Sequence, residues 1–254
     1  MATKENVGVL ETDLDTEFDK HISLYNLVGQ SRACQTLKTL IDEYHWNQGG
    51  QNKIKPIMLY GQHSCSVVAR AFANSLGAVE FNEIMGCLIG YGISFQCGFE
   101  NTGEHSAYYI SDIDKMVYYW QAHLFKLLKE RIIEEPAIPN VRECQRKYFA
   151  GQLILSSEKQ TKISSKLEKY CSAVIQMIDY EDQDVRNILL QRIAVCGLKV
   201  EDQPKIVDAI VQAVKVNNVE MAIQLLEWAY KCSRAEGADT IVISHFNKAL
   251  KILG

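Results

Sequence analysis

The segment that comes nearest to chemistry is IMLYGQHSCSVVARAFANSLG, residues 57–77. An apolar run, Ile57-Met58-Leu59-Tyr60, meets a turn at Gly61, and apolar residues then recur at helical spacing through Val68, Phe72 and Leu76. Strand, tight turn and helix are the setting of a phosphate-binding loop. Its working pattern is G-x-x-x-x-G-K-[ST], in which backbone N–H groups and a lysine surround the phosphates while a hydroxyl holds magnesium. Here the turn has no lysine and no second glycine. It does carry Cys65 ahead of the helix, where a thiol's pKa can fall. His63 is the one base close in sequence and no second cysteine is near, so nucleophilic catalysis is not expected.

A chain of 254 residues, 47% of them hydrophobic, can bury a substantial core as one large domain or two smaller ones. Its formal charge of −4 provides no global basic field for a nucleic-acid backbone, which leaves only a local patch for that role. The eight cysteines (34, 65, 87, 97, 144, 171, 196 and 232) stand singly, without C-x-x-C pairs or zinc-ligand spacing, and read as reduced thiols of a cytoplasmic protein. Neither a signal core, nor a transit-peptide composition, nor an eighteen-residue apolar run is present, so no membrane association is expected. Residues 1–21 form an acidic arm containing Glu5, Glu11, Asp13, Asp15, Glu17 and Asp19.

The surrounding pattern supplies elements to position that turn. SRACQTLKTLIDEYHW has Ala33, Leu37, Leu40, Ile41 and Tyr44 at helical spacing, with Ser31 as its cap. A loop, NQGGQNK, leads into the segment at 57. The glycine-rich stretch EIMGCLIGYGISFQCGFENTGEH is not resolved by periodicity, and its GYG at 90–92 reads as a buried turn or as a pore loop. SAYYISDIDKM reads as a buried strand ending in polar residues. VYYWQAHLFKLLKERII reads as a helix with Trp120, Leu124, Leu127, Leu128 and Ile132 on one side, broken by Pro136 and Pro139. GQLILSSEK is a third short strand, and strands alternating with helices predict a parallel sheet covered on both faces. From about residue 180 the strand signals stop and four helical segments follow. The expected domains are therefore 22–174, α/β, and 175–254, a small all-helical domain. Tyr118, Tyr119, Trp120 and Trp228 read as helix packing rather than a base-stacking platform.

In its order of elements the chain resembles the AAA+ ATPases, and within them the RuvB-like Holliday-junction branch-migration motors. The resemblance rests on LVGQ (27–30), LYG with ANSLG (59–61 and 73–77), YYISDIDKM, QLILSSEK, and a lid that opens IDYEDQDVRNILLQRIAVCGLKVED and closes on KALKILG. It runs over roughly residues 22–254 and stops where that family continues into a DNA-binding winged helix. The implied fold is a P-loop parallel sheet sandwiched by helices, followed by a helical lid.

The resemblance also implies where the chemistry should stand. Alignment through ANSLG puts Cys65 at the lysine position and Ser66 at the hydroxyl position, and leaves the loop two residues short after Gly61. An active member ends its second motif strand in Asp-Glu, to orient magnesium and activate water; here the pair falls on Ser111-Asp112, followed by Asp114 and Lys115. Asp112 and Asp114 read either as a remnant metal site or as a turn, the commoner meaning of two acids at a strand end. The polar sensing position falls on Ser157 or Glu158. The arginine that reaches a neighbouring subunit's site matches Lys169, which lacks the planar fork, and the lid arginine matches Glu220, whose carboxylate would repel a triphosphate.

These departures imply a catalytically inactive AAA+ module, a structural or regulatory subunit that binds another protein, such as an active AAA+ ATPase or a DNA-processing partner. No cofactor and no metal are expected. Direct nucleic-acid binding is not expected, self-association should be weak, and the docking contact should involve the lid around Leu225, Leu226 and Trp228 or the GYG loop. The competing reading is a divergent ATPase that binds ATP and magnesium through Val28, Gly29 and backbone groups and is completed by a partner.

Overall fold

The computed structural model of the chain describes residues 14–46, 55–61, 64–86, 106–130, 132–134, 146–148, 151–214 and 218–253. It divides into an α/β unit, Ile22–Tyr180, and a helical unit made of Met1–His21 with Glu181–Gly254.

The α/β unit is built on a five-stranded sheet, β1 (Ile57–Tyr60), β2 (Glu80–Met85), β3 (Ser106–Ser111), β6 (Gln152–Ser157) and β7 (Ala173–Gln176), in the order β2-β3-β6-β1-β7. Every pairing in it is parallel, and Tyr60 lies opposite Ser157 on one side and Gln176 on the other. Successive strand residues point to opposite faces. Met58, Tyr60, Tyr108, Ile110, Leu153 and Leu155 pack with Leu124, Leu128 and Leu167 from helices α4 (Tyr118–Glu130) and α5 (Ser165–Tyr170). The opposite face is met by α3 (Cys65–Ser75), which buries Val68 and Phe72 completely, each contributing about 1.5–3 kcal/mol.

Sheet and cover are as the alternation predicts, with three differences. Two strands join the three read from sequence. Both are edge strands, β2 with the mixed composition EFNEIM and β7 only four residues long, and neither gives a clean apolar run. The helix expected to reach Ile132 ends at Glu130, and β-branched Ile132 and Ile133 enter β4 (Ile132–Glu134), antiparallel to β5 (Arg146–Tyr148). Ser31 is the first residue inside α2 (Ser31–Trp46) rather than its cap; the carbonyl of Gln30 accepts from Cys34 N at 3.0 Å.

In the helical unit α6 (Asp182–Val195), α7 (Gln203–Ala213), α8 (Val219–Ala235) and α9 (Ile243–Leu253) follow one another, with a two-residue parallel pair, β8 (Lys199–Val200) and β9 (Thr240–Ile241), that periodicity did not reveal. Local signals set the ends. Glu181 and Asp184 form a reciprocal capping box at α6, Pro204 lies in the first turn of α7, and the Asn218 side chain accepts from Met221 N at 2.9 Å at the start of α8. Part of the acidic arm is helical, α1 (Leu14–His21). Its Leu14 and Phe18 are buried, the Leu14 carbonyl accepts from the Cys196 thiol at 3.6 Å, and the Arg192 guanidinium lies 4.5 Å over the Phe18 ring. Arg192 is itself buried and faces Glu227 of α8 at 3.7 Å.

Candidate functional site

The loop after β1 is held from two sides. Gly61 N donates to Ser157 O at 3.0 Å, and Met177 N donates to Tyr60 O at 2.6 Å, which extends the β1–β7 ladder past the strand. Gly61 has φ 151°, and a Cβ placed on it would lie 2.7 Å from Met177 Cβ. Glycine at 61 is what leaves room for the Met177 side chain. Ser64, one residue before Cys65, which the resemblance sets at the lysine position, has the left-handed φ of 65° that a glycine would adopt without strain. Residues 62–63, His63 included, lie outside the described residues.

Cys65 opens α3 with its side chain buried and its thiol 3.7 Å from Gly61 O, whereas Ser66 is exposed. Burial pushes the Cys65 thiol up to about 12, so the group is neutral near pH 7 and supplies no cation. Desolvation by burial keeps the thiol protonated at the start of α3.

At the neighbouring strand ends the polar groups are tied into their own turns. Asp112 follows Ser111 with φ 55° and pairs with Lys115 Nζ at 2.9 Å. Asp114 is buried and accepts from Glu158 N at 3.2 Å. Of the two sensing candidates Ser157 is buried, its hydroxyl engaged with Lys159 O at 3.1 Å and Lys159 N at 3.2 Å, while Glu158 is exposed. Beneath them the Tyr109 hydroxyl bonds the Ser156 hydroxyl at 2.7 Å, and burial pushes the phenol above its ordinary range. Among the described residues no group of three His, Cys, Asp or Glu side chains is placed to hold a metal ion.

Val28 and Gly29 lie on the stretch that enters α2. Gly29 has φ 76°, and a Cβ there would sit 2.6 Å from the Tyr180 ring. Gln30, buried and at φ 49°, locks this junction with both ends of its amide: Nε2 donates to Ile178 O at 2.6 Å and Oε1 accepts from Ile178 N at 3.0 Å. Met177, Tyr180 and Gln30 were not singled out in the sequence. The one signal for them was the Gly-Gln pair in LVGQ, which places a residue needing positive φ before a long amide.

The remaining site positions are dispersed. Lys169 is exposed on α5, and Glu220 is exposed in the first turn of α8, in the helical unit, where a carboxylate favours the helix dipole. The GYG loop at 90–92 lies outside the described residues. Two expectations about apolar residues are corrected. Tyr118 and Tyr119 are 69% and 62% exposed rather than packed, because the buried stripe of α4 runs through Gln121, Leu124 and Leu128. Leu225 and Leu226 are fully buried within the helical unit and offer nothing to a partner, while Trp228 is partly buried.

A parallel sheet covered on both faces, a strand-turn-helix at its carboxyl edge and a following helical unit define the AAA+ ATPase fold, of the type seen in RuvB. The chain is similar in structure to the Thermotoga maritima RuvB Holliday junction branch migration motor, with a TM-score of 0.66 at 14% identity over 93% of this chain and 73% of that one. Two point variants of the same RuvB match over the same shares, with TM-scores of 0.65 and 0.66 at 14% and 16% identity. No family model and no curated protein sequence matches the chain. No helix among the described residues is long and apolar enough to cross a membrane.

Proposed function

We propose that this chain is an AAA+-fold module without ATP turnover, acting as a structural or regulatory subunit that binds another protein. The observation that carries the reading is the turn after β1, where Met177 lies against Gly61 and a buried neutral thiol, Cys65, stands at the position the resemblance gives to the phosphate-binding lysine. The carboxylates at the β3 end support it, Asp112 being paired with Lys115 and Asp114 bound to a backbone N–H. A missing trans arginine alone costs about 10³–10⁵ in rate, and missing lysine and metal contacts add to that barrier. With no nucleotide to cement subunit contacts, self-association is weak and the productive partner is a different protein, such as an active AAA+ ATPase or a DNA-processing assembly.

Melting the protein with and without ATP and magnesium tests this. A ligand at 100 times its Kd would stabilise the fold by about 2.7 kcal/mol. The expected result is no shift and no phosphate release. A shift accompanied by phosphate release that disappears in Asp112→Ala would favour the second reading, a divergent ATPase completed by a partner, which draws on the likeness in fold to a branch migration motor.

A further inference from the structure

We propose that the surface formed by the start of α4 and the segment through α5 is a docking site for an acidic, apolar-bearing segment of a partner protein. This deepens the protein-binding reading above by assigning it a place and a partner chemistry.

Gln121 assembles the surface. It is 2% exposed and its amide joins three pieces of chain: Nε2 donates to Ile113 O, Met116 O and Lys162 O at 3.2, 3.3 and 3.2 Å, and Oε1 accepts from Ser164 N at 3.0 Å. Farther along, Phe125 and Tyr170 meet edge to face at 5.7 Å and the Tyr170 hydroxyl donates to Leu128 O at 3.1 Å, so α4 and α5 form one face. At the α4 end of that face Val117, Tyr118 and Tyr119 are 64%, 69% and 62% exposed in succession. On the segment that Gln121 ties to α4, Lys159, Lys162, Lys166 and Lys169 are all exposed, and none of the four enters an ion pair among the described residues. Glu168, the acid nearest these lysines on α5, is engaged by the Gln160 amide.

Exposed tyrosines together with exposed lysines that pair with no acid among the described residues match the composition of an interface in which aromatic residues anchor and charges steer. Charge complementarity requires an acidic occupant, and the apolar trio requires that it carry hydrophobic side chains as well. A phosphate backbone fits less well. Val117 offers it nothing, and the chain is −4 overall.

A photo-crosslinking amino acid at position 118 of the full-length chain, expressed in its native cells, identifies the occupant by mass spectrometry; the crosslinked peptide is then synthesised and titrated. The expected peptide is net negative with Leu, Ile, Phe or Trp among its acids. Its Kd should rise about tenfold or more for K162E/K166E and separately for Y119S, both with unchanged melting temperature. Crosslinks to nucleic acid, a net-basic peptide, or no crosslink at either 118 or 119 would each overturn the proposal. None of these readouts depends on ATP, so they stand apart from the test of catalytic inactivity.

Discussion

Gly61 and Met177 approach so closely that a methyl group on the glycine would sit 2.7 Å from Met177 Cβ, at a backbone φ of 151°. Alanine at 61 must therefore both strain its backbone and displace β7's continuation. Gly61→Ala is expected to cost about 2–3 kcal/mol in urea denaturation. Adding Met177→Gly removes the clash but not the strain, so the double variant should recover part of the loss. Strict additivity of the two single losses would show that the contact does not exist in solution.

The buried Cys65 thiol, with its pKa near 12, should be inert. Iodoacetamide at neutral pH is expected to leave Cys65 unmodified in the native protein and to label it at an ordinary rate in urea, as read by peptide mass spectrometry. Rapid native labelling would show an accessible, activated thiol and revive a catalytic role.

How legible the fold was follows from which residues carry its signals. Ile57–Tyr60 and Gln152–Ser157 are central strands flanked by sheet on both sides, so their apolar runs announce them, whereas Glu80–Met85 is an edge with half its side chains wet and reads as nothing in particular. The helical unit was legible because its caps are written locally, at Glu181, Pro204 and Asn218. Of the candidate site, the placing of residues at strand ends was legible but their contacts were not. Cys65 and Asp112 could be located by motif order, while Met177 filling the Gly61 face and Gln30 reading the Ile178 backbone join residues more than a hundred apart, which no local pattern encodes.

Arg192 and Glu227 predict a strong stability effect in the helical unit. Arg192 is buried between the Phe18 ring and the Glu227 carboxylate, so removing the acid takes a close opposite charge away from a buried guanidinium. Glu227→Ala is expected to cost about 3 kcal/mol, seen as a lower urea midpoint at unchanged slope. A loss below about 1 kcal/mol would mean the charge is hydrated rather than paired.

Glu236 accepts from Lys248 and lies 3.3 Å from His245 Nε2, and the Lys248 bond holds its carboxyl below the usual glutamate range. A carboxylate with a depressed folded pKa contributes stability above its unfolded pKa and loses it as pH falls through the folded value. Wild type should therefore melt above Glu236→Gln at neutral pH, and the gap should close as acid carries the group below the ordinary glutamate range. A gap that persists unchanged in acid would assign the effect to packing instead.

The last prediction asks whether the phosphate loop is disabled or absent. Residues 62–66 leave the loop two positions short of G-x-x-x-x-G-K-[ST] and supply no cation, while Met177 fills the Gly61 side. Exchanging 62–66 for a full-length loop ending in Gly-Lys-Thr restores the amides, the ammonium and the hydroxyl in one step, and Met177→Gly removes the Cβ that lies against Gly61. Each charge-assisted phosphate contact contributes about 1.5–3 kcal/mol, so calorimetry should pass from no heat for wild type to measurable ATP binding for the repaired loop, tightened about tenfold by Met177→Gly. Both variants must first show an unchanged far-ultraviolet circular dichroism spectrum. If they fold and ATP still gives no heat, the turn after β1 is not an inherited phosphate site, and the likeness to AAA+ proteins is one of architecture without a nucleotide pocket.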